Sequence, residues 1–251
     1  MNYYNFCFSP TGGTAKVANA VAKGMGINFK KIDLMKQVEN KWLKSDDLCL
    51  FAVPAYSGRV PSVVIDRLAN VNGNGARAIL IAVFGNRAID DTLIELSDEL
   101  KKAGFRCIAG LEAVAQHSLL PKYGAGRPDE DDIAELISFG EKIKQALDED
   151  VLSNDVDLPG NRPYRPYKEV PLQPFGVHGC IGCEVCAKQC PVNAISIMDC
   201  RNTNSKRCIS CMRCVKVCPE HVRKTGGLLT LAATLAMKKA CSGRKPNKLY
   251  I

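Results

Sequence analysis

The sequence predicts an α/β fold: a doubly wound, five-stranded parallel sheet, followed by a small α+β domain built around cysteines. Three observations support this prediction. Apolar runs alternate with helical segments through residues 1–150, five of the 13 prolines fall between Pro159 and Pro174, and eight of the 13 cysteines lie in two short runs after residue 179. The charge balance changes at the same place, because residues 1–150 carry 18 Lys and Arg against 20 Asp and Glu, whereas residues 151–251 carry 16 against 6. We therefore expect two modules.

The first module is predicted from alternating periodicities. The apolar runs predicted as strands are 3–8, 27–33, 48–53, 78–84 and 105–114. The segments predicted as helices are 14–25, 62–71, 91–104 and 129–147. Strands that alternate with helices imply βαβ units and a parallel sheet. In such sheets ligands bind at the carboxyl ends of the strands, so we expect the functional loops there.

The remaining chain divides by composition. The predicted boundaries are 1–150 for the sheet domain, 151–175 for a proline-rich linker, 176–223 for the cysteine domain and 224–251 for a C-terminal helix and basic tail. The prolines predict an extended, stiff linker that straps along the surface. The segment 228–237 is apolar nearly all round but too short to cross a bilayer. We expect it to pack on the body or on a second copy, with contact to a membrane surface or partner protein as the alternative.

The cysteine domain contains an internal duplication. "CIGCEVCAKQCP" (180–191) and "CISCMRCVKVCP" (208–219) share the spacing C-x2-C-x2-C-x3-C-P, 28 residues apart. With this spacing three thiolates of a run bind one [4Fe–4S] cluster, and the fourth binds the cluster of the other run. The predicted ligand sets are Cys180, Cys183, Cys186 and Cys218 for one cluster and Cys208, Cys211, Cys214 and Cys190 for the other.

Zinc is the alternative for these cysteines. A structural zinc ion needs four ligands, usually as two separated pairs, so this duplicated spacing favours iron–sulfur clusters. The segment resembles a bacterial two-cluster ferredoxin, with one departure, because "PVNAI" follows the first run and "PEHVRK" the second. A domain of this size buries little surface, so the clusters are expected to hold it together. The cysteines outside the pattern are expected not to bind metal: Cys7, Cys49, Cys107, Cys200 and Cys241.

The turn between the first strand and the first helix has the composition of an anion-binding loop. "SPTGGT" (9–14) offers the hydroxyls of Ser9, Thr11 and Thr14 beside a helix N-terminus, where backbone N–H groups favour a phosphate. The chain contains neither G-x-x-x-x-G-K-[ST] nor G-x-G-x-x-G, which argues against an NTPase loop and the dinucleotide fingerprint. A turn that only caps the helix is the alternative.

Together these motifs resemble a known family. "SPTGGT" is similar to the T-x-T-G-x-T phosphate loop of flavodoxins, with serine at the first position. The order of modules, together with "GNRAIDDTLIEL" and "GRPDEDD", resembles a flavodoxin–ferredoxin fusion family of anaerobic microbes. The resemblance implies a flavodoxin-like sheet that binds FMN through three loops. The implied FMN-binding residues are Ser9, Thr11, Gly12, Gly13, Thr14, Ala15, Pro54, Ala55, Tyr56, Ser57, Gly58, Phe84, Gly85, Asn86 and Arg87.

Individual side chains in these loops carry further expectations. Tyr56 is expected to stack on the flavin ring, with an ordinary loop tyrosine as the alternative. For Arg59 and Arg87 the sequence leaves open whether they lie near the flavin or in solvent. His117, in the loop after the fifth strand, is either structural or a hydrogen-bond partner of flavin or substrate.

The resemblance implies an oxidoreductase that carries electrons between FMN and two [4Fe–4S] clusters and on to or from a redox partner. The alternative is an FMN-dependent reductase of a small substrate, with His117 as the candidate acid or base.

The basic C-terminal part favours an acidic redox protein as partner. Nucleic acid is not expected, because no Phe, Tyr or Trp lies between Gly176 and Leu249 to stack on bases. A cytoplasmic location is expected, because no apolar run is long enough to span a membrane and the first residues lack the pattern of a secretion signal. In that compartment the cysteines are expected to be reduced. A homodimer is a further expectation, left open by the sequence.

Overall fold

The computed structural model describes residues 1–154, 156–168 and 170–251. Asp155 and Glu169, both within the predicted linker, lie outside the described residues. The strands are β1 (Tyr3–Cys7), β2 (Lys30–Asp33), β3 (Lys41–Trp42), β4 (Leu48–Pro54), β5 (Val71–Asn72), β6 (Arg77–Phe84), β7 (Arg106–Val114), β8 (Phe175–Gly176), β9 (Arg223–Lys224) and β10 (Lys248–Tyr250). The helices are α1 (Gly13–Gly24), α2 (Ser62–Leu68), α3 (Thr92–Lys102), α4 (Glu130–Asp148), α5 (Val185–Lys188), α6 (Arg213–Lys216) and α7 (Gly227–Met237).

The main sheet confirms the predicted fold class. Five strands run parallel in the order β2-β1-β4-β6-β7, which is the 2-1-3-4-5 order of flavodoxin-like folds. From β1 the chain first adds β2 on one side and then adds β4, β6 and β7 on the other side. This reversal of the strand order places a crevice at the carboxyl ends of β1 and β4. The C-terminal tail adds a sixth strand that the sequence did not predict: β10 pairs antiparallel with β7, with Leu249 opposite Leu111.

Helices cover both faces of this sheet. Alternate residues of β4 enter different cores, since Leu50 packs with α1 and α4 while Phe51 packs with α2 and α3. Both side chains are fully buried, which explains why the strand is an unbroken apolar run. Helices α1 and α4 cross closely at Gly24 and Gly140, where a side chain would collide with the backbone of the facing helix.

The proline-rich linker lies along the N-terminal end of α3. Asn161 and Arg165 donate backbone hydrogen bonds to the Asp91 carboxylate at 2.9 and 2.7 Å. Arg162 forms an ion pair with Asp98 at 2.6 Å. These contacts hold the described part of the linker against the sheet domain, so the segment is a strap and not a free tether.

The cysteine module repeats its backbone as well as its sequence. Helices α5 and α6 begin 28 residues apart, and the residues before them, Glu184 and Met212, both adopt left-handed conformations with φ of 62° and 61°. Asn193 and His221 form a second such pair, with φ of 50° and 53°. The two halves meet in the small antiparallel ladder of β8 and β9.

The predicted C-terminal helix is α7. Its Ala233 and Met237 pack against Leu120 and Tyr123 of the loop after β7, while Leu228 remains 86 % exposed. Among the described residues, no helix combines the length and the apolar character needed to span a membrane.

Candidate functional site

One cavity of the cysteine module is lined by Cys190, Cys208, Cys211 and Cys214. The structure thus brings together one of the two crossed sets. Backbone N–H groups point at the sulfurs, since Ala194 donates to Cys190 Sγ at 3.2 Å and Ser210 donates to Cys208 Sγ at 3.4 Å. Hydrogen bonds of this kind stabilise charge on cluster ligands and help to set reduction potentials. Burial raises the pKa of the Cys211 thiol to about 12, so the thiolate that a metal binds would form there only with the metal's positive charge beside it.

A second cavity is lined by the other set, Cys180, Cys183, Cys186 and Cys218. Cys200 lies at the same cavity, which its sequence spacing did not indicate. Its thiol donates to the carbonyl of Ile197 at 3.7 Å. Cys200 is therefore a fifth cysteine near this site and offers a sharp test of the ligand assignment.

The arrangement of the thiols fits clusters. Four cysteines line the first cavity and five line the second, where Cys200 is the additional one, and sulfur is the donor that iron–sulfur clusters require. Within the described ranges, no three Cys, His, Asp or Glu side chains converge tightly enough to hold a single metal ion. In a zinc site all sulfurs lie about 2.3 Å from one ion, whereas the ligands of a cubane bind different irons and stand further apart.

The loop 9–14 lies at the carboxyl end of β1, at the start of α1. Ser9 Oγ accepts a hydrogen bond from the Ala15 amide at 2.9 Å, so this hydroxyl organises the first helical turn. Thr11 and Thr14 form no side-chain hydrogen bond with the described residues, and their hydroxyls are available to a ligand. Arg213 of the cysteine module donates to the Pro10 carbonyl at 3.1 Å, while its buried Nε has no hydrogen-bond partner among the described residues. Free hydroxyls, helix N–H groups and a nearby guanidinium fit a phosphate group.

The loop 54–58 forms a tight turn at the carboxyl end of β4. Tyr56 and Arg59 exchange two backbone hydrogen bonds at 3.0 Å, and both intervening residues, Ser57 and Gly58, have positive φ. The Tyr56 side chain faces the cysteine module. Burial raises the pKa of its hydroxyl, and the neighbouring thiols of Cys211 and Cys208 act in the same direction. Ring stacking by Tyr56 stays a prediction.

Replacing Gly58 in this turn is expected to destabilise the protein. A Cβ there would lie 2.1 Å from Asp90 Oδ2, and the residue has φ of +79°. Gly126 has φ of +80° with open space around it, so Gly126→Ala introduces the backbone strain alone. We expect Gly126→Ala to cost about 1 kcal/mol and Gly58→Ala about 1–3 kcal/mol more, because of the collision. Urea unfolding of both variants measures the difference, and equal losses would contradict the collision.

The loop 84–87 at the carboxyl end of β6 is held by the C-terminal tail. The Asn86 amide donates to the carbonyls of Cys241 and Gly243 at 2.7 and 2.8 Å. Arg87 pairs with Asp90. Arg59, in the neighbouring loop, forms a two-bond ion pair with Glu95 at 2.6 and 2.8 Å. Both arginines therefore pair with acids of the sheet domain instead of standing free in solvent.

His117 organises its own loop. Its Nδ1 accepts from the amides of Leu119 and Leu120 at 3.2 and 3.4 Å. Burial lowers the pKa of the imidazole to about 4, and the Arg87 charge acts in the same direction. The ring is therefore neutral at neutral pH, and its use as a hydrogen-bond acceptor within the loop favours the structural alternative over a role as acid or base.

Every candidate flavin loop touches a segment from the C-terminal part. Arg213 contacts loop 9–14, and the tail contacts loop 84–87. Ser57 Oγ in loop 54–58 donates to the Lys168 carbonyl at 2.8 Å. The buried Arg67 of α2 donates to the Pro191 carbonyl, beside Cys190, at 2.6 Å. Sequence reasoning missed Arg67 and Arg213, because nothing in the sequence distinguishes them from surface arginines.

One protein family and several solved structures are similar to parts of this chain. Residues 179–222 match the family described as the 4Fe-4S dicluster domain. No curated protein matches the chain. Among solved structures, flavodoxin 1 from Bacillus cereus is 18 % identical and covers 57 % of this chain and 98 % of its own, with a TM-score of 0.41. The flavodoxin of Streptococcus pneumoniae TIGR4 is 18 % identical over 58 % of this chain and 99 % of its own, with a TM-score of 0.41.

The fold assignment comes from the strand order, and the assignment of the C-terminal domain comes from the family match. The N-terminal sheet has flavodoxin-like topology. The cysteine runs lie inside the matched segment. The chain therefore joins a flavodoxin-like domain to a 4Fe-4S dicluster domain, in the order that its sequence predicted.

Proposed function

We propose that this chain is an electron-transfer protein that binds FMN at loops 9–15, 54–58 and 84–87 and two [4Fe–4S] clusters at the crossed cysteine sets. When bound, FMN exchanges one or two electrons and each cluster exchanges one, so the protein can connect two-electron and one-electron partners. The observation that carries this proposal is the packing of the cysteine module, through Arg213 and Pro191, onto the carboxyl edge of the sheet, where flavodoxin-like folds bind their ligand.

We further propose that the site of Cys190, Cys208, Cys211 and Cys214 is the one nearer the flavin. Its thiols Cys211 and Cys208 lie beside Tyr56. Arg213 connects the same site to the phosphate loop. Its backbone N–H donates a hydrogen bond to the Cys211 sulfur, and its guanidinium donates one to the Pro10 carbonyl. The cavity of the other set is lined only by residues of the cysteine module. That set lies on the side from which a partner is reached.

Buried arginine contacts fix this arrangement. Arg67 is 2 % exposed and donates to the carbonyls of Leu34 and Pro191, one in each module. Breaking the contact would leave a buried guanidinium without its acceptors, which is costly. The modules are therefore held in one relative position, which fixes the separation of the candidate sites.

The partner we propose is an acidic redox protein. The 16 Lys and Arg of residues 151–251 against 6 Asp and Glu make this part strongly basic, and complementary charge speeds association. The exposed leucines of α7 offer an additional apolar contact for a partner or a second copy. A cytoplasmic location stays part of the proposal, since that compartment keeps thiols reduced.

Anaerobic purification with cofactor analysis tests the proposal. We expect about eight irons and one FMN per chain. Thr11→Ala should weaken FMN retention about tenfold, since it removes one hydroxyl bond to a charged phosphate, while leaving the iron content unchanged. Absence of flavin from the purified protein, or four irons per chain, would overturn the assignment of the sites.

A further inference from the structure

Arg223 is a buried arginine at the centre of the cysteine module. It lies in β9 and is 3 % exposed. By the internal repeat it corresponds to Ile195, which lies 28 residues earlier and packs in the small core with Cys186 and Cys214. One half of the duplication therefore buries an isoleucine where the other half buries a guanidinium.

The hydrogen bonds of Arg223 provide no negative partner. Nη2 donates to the Pro174 carbonyl at 2.9 Å and to Thr203 Oγ1 at 2.5 Å, and Nη1 donates to the Cys200 carbonyl. The Nε atom is buried and forms no hydrogen bond with the part of the chain that the structure describes. Within the described residues, no carboxylate forms an ion pair with Arg223.

Arg223 instead faces one cysteine from each predicted ligand set. Nη1 lies 4.0 Å from Cys186 Sγ, a member of the set with Cys180. It also lies beside Cys214, a member of the other set. Helix α6, which contains Cys214, packs against β9, which contains Arg223, and the guanidinium lies within hydrogen-bonding reach of the Cys214 thiol. The guanidinium thus stands between the two sites.

A buried guanidinium without a counter-charge is strongly unfavourable. A [4Fe–4S] cluster with four thiolates carries about −2 in its oxidised form, and net charge and hydrogen bonds to sulfur are what tune its potential. Clusters bound at the two sites would supply, on both sides of Arg223, the negative charge that none of its hydrogen-bond acceptors carries.

We propose that Arg223 is a shared internal counter-charge that raises the reduction potentials of both clusters. The inference rests on the proposed function, because it requires clusters at both cysteine sets. Reduction adds negative charge to a cluster, so a fixed positive charge between the sites stabilises both reduced forms. It also lets the second cluster accept an electron more readily once the first is reduced, because it offsets their repulsion.

Redox titration of the anaerobically purified full chain, followed by electron paramagnetic resonance, tests the proposal. Three variants are compared with the wild type: Arg223→Ile, which removes the charge and supplies the side chain of the other repeat, Arg223→Lys, which keeps the charge, and Lys224→Gln, which removes an exposed charge from the neighbouring position. We expect Arg223→Ile to shift both cluster potentials to more negative values, Arg223→Lys to restore most of the shift, and Lys224→Gln to leave both potentials close to wild type.

Each outcome decides between the counter-charge and a purely structural arginine. Wild-type potentials in Arg223→Ile would overturn the proposal, as would an equal shift in Lys224→Gln. If Arg223→Ile loses its iron while Arg223→Lys keeps iron and potentials, the charge is required and the proposal holds. If both lose iron, the guanidinium serves only its carbonyl acceptors and the proposal fails. Wild-type protein without about eight irons would instead refute the cluster sites themselves.

Discussion

Cys211→Ser is expected to unfold the cysteine module as a whole and not to empty one site alone. Cys211 is buried in the cavity with Cys190, and these two come from different repeats. Because each proposed site takes ligands from both halves, loss of one site would release the connection between the halves. Besides the proposed ligands, the buried core found among the described residues of the module is small and includes Ala187 and Ile195. A core of this size does not supply enough stability without its metal cross-links.

Iron analysis and circular dichroism measure this outcome, with Cys200→Ser as the matched control. Cys200 is also buried and lines a cluster cavity, but it stands outside both ligand patterns. We expect Cys211→Ser to lose more than half of the iron, and Cys200→Ser to keep about eight irons per chain. Iron loss in Cys200→Ser that equals the loss in Cys211→Ser would show that the ligand sets are drawn wrongly.

The sequence was informative wherever function requires fixed spacing. The two cysteine runs could be grouped into crossed sets because the repeat specifies both the loop and the partner loop, and the structure places those sets around separate cavities. The βαβ pattern likewise predicted the five parallel strands. The central strands β4 and β6 are buried on both faces and are therefore almost continuously apolar, whereas the edge strand β2 is largely exposed.

Contacts between distant segments could not be predicted. Strand β10 has three residues, too few to show a periodicity, and it exists because β7 offers an unpaired edge. Asn86 was placed at the flavin by resemblance, yet its amide is held by tail carbonyls some 155 residues further on. The sequence does distinguish Arg223, because an arginine there replaces the Ile195 of the first repeat. Only the structure shows that a cysteine of each predicted ligand set lies beside it.

Asp132→Asn is expected to cost the sheet domain about 3–5 kcal/mol. Asp132 is 1 % exposed, and its carboxylate accepts a two-bond ion pair from the buried Arg127. It also accepts from Asn247 at 3.1 Å and Arg244 at 3.2 Å, both in the tail that leads into β10. With Asp129 it forms the capping box of α4. Neutralising this carboxylate leaves Arg127 buried without its counter-charge and weakens the cap and the tail together.

The pH dependence of unfolding distinguishes this loss of charge from a general packing defect. Burial acts to raise the pKa of Asp132, but the hydrogen bonds from Arg127, Asp129 and Asn247 outweigh it and hold the pKa below its usual range. The stabilisation is therefore complete above the unfolded-state pKa of about 3.9 and is lost as the pH falls further. Urea unfolding should show a large difference in the free energy of unfolding between wild type and variant at pH 7, and this difference should narrow below about pH 4.

Asp148→Asn in the same helix is the matched control. It removes an exposed ion pair with Lys144 and should cost less than about 1 kcal/mol. A gap for Asp132→Asn that stayed constant down to pH 2 would show that the carboxylate charge is not what holds Arg127 and the tail in place.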